Sequence, residues 1–208
     1  MRWSVITGDI VASSGLNAAQ LGAIMDTLRD ASASIGSWHS GGDAESAALF
    51  ARRAGDAWQI AVRAPALCLR ASLYIQSAVI AHHDAHTRLA VATGDGTVPA
   101  GRTPDLNSAS GPAFVDSGRL LSALPRHALM AHATGGALDA AFRLADHISQ
   151  GWTQAQARSI HAMLPPGSGP RQSVAHRLGI SRQAVDQSLR AAGFAALDAA
   201  LRQIEAAP

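Results

Sequence analysis

Two carboxylates are placed where acids can do chemistry. Asp9 closes a short apolar run, Trp3-Ser4-Val5-Ile6-Thr7-Gly8, and the stretch Ile10-Val11-Ala12-Ser13-Ser14 after it ends in small residues suited to lying beside phosphates. Asp56 sits in the turn Ala54-Gly55-Asp56, between the strand-like runs Leu49 to Arg53 and Trp58 to Val62. Acids at the tips of neighbouring strands make a hard-cation site. Mg²⁺ prefers oxygen donors and is usually held by one or two carboxylates plus the phosphates of its substrate. Without a cation, Asp9 reads as a cap on the first helical region and Asp56 as an ordinary turn residue.

A second set of residues lies between Gln172 and Leu189. Ala175 is small where two helices would cross, Gly179 supplies the positive backbone angle of a turn, and Ser181 is a natural N-cap. Val174, Leu178, Ile180, Val185 and Leu189 read as the core shared by both helices. The second helix then presents Arg182, Gln183, Gln187 and Arg190 outward. Arg and Gln read guanine and adenine edges in the major groove, and both also hold phosphates. The spacing is that of a helix–turn–helix, so Ser181, Arg182, Gln183, Gln187 and Arg190 are the expected contacts to double-stranded DNA. The plain alternative is a helical hairpin that only packs.

Other reactive side chains carry less. His82-His83-Asp84-Ala85-His86 puts three imidazoles within five residues, but no Cys₂His₂-type spacing accompanies them. They read better as a solvated helix C-terminus, where a partly charged His suits the dipole. Cys68, the one cysteine, excludes an intrachain disulfide and falls in an apolar run, as a buried thiol would. A formal charge of +2 is too small to mark the whole chain as a polyanion binder. The charge is uneven, however: Gln150 to Pro208 holds six Arg against Asp186, Asp198 and Glu205. All 17 basic residues are Arg.

The elements that must position these groups follow from periodicity. After the first strand, Asn17-Ala18-Ala19-Gln20 resembles a capping box, and Leu21, Ile24, Met25 and Leu28 repeat at helical spacing to about Ile35. Gly36 to Gly42 is a loop, with Gly41-Gly42-Asp43-Ala44-Glu45 at its end. Strands are expected at Ser46 to Arg53, Ala57 to Arg63, Thr87 to Thr93 and His127 to Ala133, with helices at Ala66 to Ala81 and Pro112 to Leu124. Strand, helix, strand, strand, helix, strand is the order of a ferredoxin-like α+β domain. Gly135-Gly136 reads as a boundary, so 1–134 and 135–208 are the expected domains. The second is all-helical: Ala137 to Ser149, Gln154 to Met163, Gln172 to Leu178, Arg182 to Ala191 and Ala195 to Glu205. No run reaches the roughly 18–20 apolar residues a membrane span needs, and the first residues lack a secretory signal's layout. The expectation is a cytoplasmic protein with no membrane partner.

Asp9-Ile10-Val11 after a strand, then Gly55-Asp56-Ala57 in a hairpin, resemble class III nucleotide cyclases, whose metal-binding aspartates occupy these positions. Arg88-Leu89-Ala90-Val91-Ala92-Thr93-Gly94 looks like the cyclase strand before the substrate loop. The full layout, adding Trp58-Gln59, Gly111-Pro112-Ala113-Phe114 and the helix–turn–helix tail, is more similar to the SatD family. That resemblance implies a nucleotide cyclase-like, ferredoxin-like domain followed by a helix–turn–helix domain. It implies Asp9, Ile10 and Asp56 at Mg²⁺, and Ala12, Ser13, Ser14 and Arg52 at a nucleotide. It also implies Arg119 as the transition-state arginine if the site turns over, and a homodimer. The chain departs from cyclases where Val115 replaces an asparagine, Arg52 a lysine, and Ser13-Ser14 a Phe-Thr pair. The function expected is a transcriptional regulator that senses a nucleotide. The alternative is an active nucleotide cyclase or nucleotidyl transferase tethered to DNA.

Overall fold

In a computed structural model, residues 1–38, 48–99 and 105–207 are described; the Gly41–Glu45 segment lies outside them. The chain is mixed α+β. Five strands, β1 (Arg2–Ile10), β2 (Ala48–Arg52), β3 (Trp58–Val62), β4 (Thr87–Asp95) and β5 (Met130–His132), form one sheet in the order β2-β3-β1-β4-β5. Its three pairings between β2 and β4 are antiparallel, and β5 joins β4 in parallel. Between the strands run α1 (Ala18–Gly36), α2 (Cys68–His83) and α3 (Pro112–Ala123). Five helices follow: α4 (Gly136–Gln150), α5 (Gln154–Met163), α6 (Arg171–Leu178), α7 (Arg182–Ala191) and α8 (Phe194–Ala206).

β1 is central because it is apolar on both faces. Ile6 and Ile10 enter the core with α1 and α2, whereas Trp3 and Val5 pack with Ala61, Leu106, Ala113 and Phe114 on the other side. A strand covered on both faces reads as a continuous apolar run, which is what the sequence shows. α1 begins on the expected capping box: Gln20 N–H donates to Asn17 Oδ1 and Asn17 N–H to Gln20 Oε1, each at 2.9 Å. α2 is buried all round, from Cys68 to Ala81, polar residues included. A helix with no solvent face must be sandwiched, and α2 lies between the sheet, α1 and α5.

Some bounds differ from the pattern. Pro65–Leu67 is a separate 3₁₀ turn, so α2 starts at Cys68 and runs on to His83. β5 keeps only three residues, because the turn closed by Ala128 N–H on Pro125 O occupies the start of the expected strand. The helical tail also shares one apolar core with the sheet, in which Ile6, Leu73, Ile160 and Leu201 belong to one cluster. Arg70 on α2 fastens α8 as well. Its Nε and Nη2 donate to the Glu205 carboxylate at 2.6 and 3.0 Å, and its Nη1 to Leu164 O at 2.8 Å.

The glycine before Asp9 is a packing requirement. A Cβ on Gly8 would drive into the Trp58 ring and the Arg88 carbonyl. With no Cβ there, the buried Trp58 indole lies against β1. Its Nε1 donates to Thr87 Oγ1 at 3.0 Å, and that hydroxyl donates to Asp9 O at 2.6 Å. One side chain thereby fixes β3, β1 and β4 around the acid. Gly8→Ala should cost about 1–3 kcal/mol by overpacking. Gly22→Ala, with nothing within 4 Å of the new methyl, should stabilise by about 1 kcal/mol through helix propensity. Urea denaturation of both variants checks this; equal effects would remove the packing account.

Candidate functional site

Asp9 lies one residue from the end of β1, directly opposite Arg88 on β4. Arg88 forks onto it: Nε donates to Asp9 Oδ1 at 2.9 Å, and Nη2 bonds Oδ2. Both side chains are mostly covered, at 30% and 20% exposure. Hydrogen bonding to Asp9 holds the guanidinium above its ordinary pKa against the opposing effect of burial, with the charges of Asp9 and Asp56 adding to it.

Asp56 comes from the β2–β3 hairpin. Gly55 takes a φ of 66°, which suits glycine, and Arg52 Nη2 donates to Gly55 O at 3.1 Å, bracing the turn from outside. After β1 the chain bends sharply: Val11 N–H donates to His86 O, Ala12 adopts φ 55°, and Ser13–Gly15 form a 3₁₀ turn. A left-handed alanine is uncommon and marks this bend as fixed by its surroundings.

These segments and the α3–β5 connection line an open cavity of about 360 Å³ formed by Asp9, Ile10, Val11, Ala12, Asp56, Arg88, Arg126 and Leu129. Asp9, Ile10, Ala12 and Asp56 thus line one cavity. Ser13 and Ser14 lie in the adjoining turn and do not line the cavity. Arg52 is engaged by the hairpin backbone. Arg119 stands on the exposed side of α3, 79% exposed beside Asp116, away from this cavity. The two arginines that do line it were not singled out by sequence. Arg88 was legible only through its register against Asp9. Arg126, in the α3–β5 connection, had no local signal.

Two carboxylates, two guanidiniums and backbone at a bend can bind a polyphosphate. Guanidiniums match phosphate oxygens bidentately. The donor set suits Mg²⁺, because two carboxylates are what that ion takes when phosphate completes its shell. The Arg88 fork takes one acceptor position on each Asp9 oxygen and so competes with a cation for that carboxylate. Among the described residues no group of three His, Cys, Asp or Glu could hold a metal ion. The imidazoles of the α2 end diverge: His83 Nε2 meets Thr27 Oγ1 at 2.8 Å, His86 Nδ1 lies 3.3 Å from Gln76 Nε2, and His82 faces the His161 ring. Burial lowers His161 to about 4, helped by the charge of His82 and opposed by a bond to Tyr74 O. Burial likewise pushes the Cys68 thiol up to about 12, which fits an inert core group.

On the tail, α6 ends in the corner that Gly179 allows, at φ 65°, where Ile180 N–H donates to Ala175 O at 3.1 Å. Ser181 Oγ accepts Ala184 N–H at 3.1 Å and caps α7. Val174, Ala175, Val185 and Leu189 are buried between the helices, and Arg182, Gln183, Gln187 and Arg190 are exposed. Ile180 departs from expectation. The corner turns it outward and leaves it 43% exposed. Asp186 takes Arg171 at 2.7 Å and approaches Arg182 at 3.7 Å, so part of the basic face is neutralised internally.

No protein-family model and no curated protein sequence matches the chain. Among solved structures it is similar to a bacterial light-regulated adenylyl cyclase, with 14% identity and a TM-score of 0.45 over 63% of this chain and 74% of the other. It is also similar to the guanylyl cyclase Cya2, with 14% identity and a TM-score of 0.44 over 65% and 79%. Scores below 0.5 leave the fold to be judged by strand order and the chemistry by the side chains present. No described helix is long and apolar enough to cross a membrane.

The Asp9–Arg88 fork gives a prediction with two opposite signs. Arg88→Ala should tighten binding of Mn²⁺ alone by about tenfold, because an acid freed of its cation partner is a better ligand. The same change should weaken inorganic tripolyphosphate by about tenfold through loss of a charge-assisted fork. Mn²⁺ electron paramagnetic resonance and calorimetry read the two constants. Movement of both in one direction would contradict the arrangement.

Proposed function

We propose that the chain is a DNA-binding transcriptional regulator of the SatD type that senses a nucleotide polyphosphate with Mg²⁺. In this reading residues 1–134 are a ferredoxin-like domain of the nucleotide-cyclase kind. The strand order β2-β3-β1-β4 with α1 and α2 as crossovers supports it, being the split βαβ arrangement with β5 added at one edge. Residues 135–208 are the DNA-binding domain, with α6 and α7 as its helix–turn–helix.

The observation that carries the reading is the convergence of Asp9, Asp56, Arg88 and Arg126, from four separate segments, on one cavity. Asp9, Asp56 and the backbone at Ile10 would hold Mg²⁺, which supplies charge neutralisation between phosphate oxygens. Arg88 then turns from Asp9 to phosphate, and Arg126 closes the far wall. The bend from Ala12 to Ser14 lets backbone approach the anion. On α7, Ser181 fixes the helix start, Arg182 and Arg190 meet phosphates, and Gln183 and Gln187 meet base edges. A homodimer would supply two such helices to a two-fold operator.

The same pair of acids supports the alternative, an active class III-like nucleotide cyclase or nucleotidyl transferase tethered to DNA. Turnover would need a further group at the reacting phosphate. Arg119 is exposed and does not line the cavity of its own chain, so the alternative needs a dimer that brings such a group there.

Two measurements test it. A nucleoside triphosphate with Mg²⁺ should raise the thermal midpoint, by the equivalent of about 2.7 kcal/mol at a hundredfold excess over Kd, and Asp56→Ala should abolish the rise. Duplex DNA should bind with a log–log salt slope that falls by about 0.9 for each phosphate contact removed by Arg182→Ala or Arg190→Ala. Absence of salt-sensitive duplex binding would falsify the regulator reading. Metal-dependent release of pyrophosphate, lost in Asp56→Ala, would establish the enzyme instead.

A further inference from the structure

The cavity wall formed by Arg126 and Leu129 is fastened to the tail through one turn of α4. Leu129 N–H donates to Asp146 Oδ2 at 2.9 Å, and Gln150 Nε2 donates to His127 O at 3.3 Å. Asp146 and Gln150 are four residues apart and share a helix face. On the other side of this wall segment, Leu89 N–H of β4 donates to Leu129 O at 2.7 Å. The wall is thus held between the sheet and α4.

The same stretch of α4 also grips the end of α7. The buried Trp152, just past α4, donates from Nε1 to Ala192 O at 3.0 Å, and Ala192 is the C-cap of α7. Next to it, Gly193 turns the chain into α8 at φ 72°, and Ile148 Cγ2 would lie 3.3 Å from any Cβ placed there. Ile148 and Trp152 are again four residues apart. One turn therefore shows one face to the cavity wall and another to the α7–α8 corner.

The network is not closed. Asp146 is 4% exposed, and among the described residues its Oδ1 has no hydrogen-bond partner. A buried acceptor left unpaired costs about 1–3 kcal/mol, so the Asp146 carboxylate is held to the wall by the Leu129 N–H contact of Oδ2 alone among the described residues. A coupling element must contact both sites it links, and a ligand shifts its equilibrium only through differential affinity for its states.

We infer that the last turn of α4, through Asp146, is the lever that links the cavity to the DNA-reading helix; this rests on the ligand and DNA reading above. An anion that draws Arg126 inward moves the 126–129 wall. Asp146 and Gln150 carry that displacement to α4, and Ile148 and Trp152 deliver it to the C-terminal end of α7. Asp146 is a positioning residue that touches no ligand.

The test begins without ligand. Amide hydrogen exchange on the full chain is compared between wild type, Asp146→Ala and Asp146→Asn, with Ile24→Val in α1 as a control for general loosening. Asp146→Ala should speed exchange about tenfold both at 126–130 and at 190–194. Asp146→Asn keeps an acceptor for Leu129 N–H and should retain protection at both; Ile24→Val should not reproduce the paired pattern. Acceleration confined to 126–130, or a paired pattern in the control, overturns the lever. The second readout is the ratio of duplex affinities with and without MgATP. It should depart from one in wild type and return to one in Asp146→Ala, with each separate affinity changed less than about threefold. If wild type binds neither MgATP nor DNA, the functional reading fails, and the exchange result still decides the lever.

Discussion

Both oxygens of Asp9 are held by the Arg88 fork, and the chemistry available to the cavity is set by that constraint. While the fork is closed, Arg88 neutralises the acid and competes with any cation for it. In the proposed reading an anion would draw Arg88 away, freeing Asp9 when a polyphosphate is present to complete a metal's shell. In that reading metal and anion would favour each other's binding, both by direct coordination and because each removes the other's competitor. Such mutual dependence suits a sensor of a metal–nucleotide pair better than a sensor of either component.

The fork has its geometry because three strands are locked around it. Trp58 packs against Gly8, bonds Thr87, and through that hydroxyl reaches the carbonyl of Asp9 itself. A larger residue at position 8 would lift the hairpin that carries Asp56. The frame does not stop at the sheet. α2 has no solvent face, and its outer surface is covered by α5, so the helices that carry the exposed Arg and Gln side chains grow from the same apolar core as the strands. Movement at one end of such a core is felt at the other, because close-packed interiors have few places to absorb strain.

How much of this was legible in the sequence follows from the range of each interaction. The capping box at Asn17 and Gln20, the Gly179 corner and the Ser181 cap are local, and residue type at short spacing was enough. Asp9 and Asp56 could be paired because both sit at the tips of strong apolar runs. Arg88 entered only as the first residue of a cyclase-like strand, since its place at the site lies in a register against a residue 79 positions away. Arg126 reaches the cavity only through the short turn that shortens β5. Arg52 and Arg119 fit a resemblance, but Arg52 is spent on the hairpin backbone and Arg119 faces solvent. Gly135-Gly136 marks a change of composition; the buried faces of α4, α5 and α8 carry the core past it.

The central claim is that Asp9 and Asp56 jointly hold a cation against a polyphosphate once Arg88 has moved. A crystal structure with Mn²⁺ and a non-hydrolysable nucleoside triphosphate tests it most directly. An anomalous peak shared by the two carboxylates, with the Arg88 guanidinium transferred to a phosphate, is the predicted result. A nucleotide bound elsewhere, or an Arg88 still forked on Asp9 with the metal outside the cavity, would contradict it.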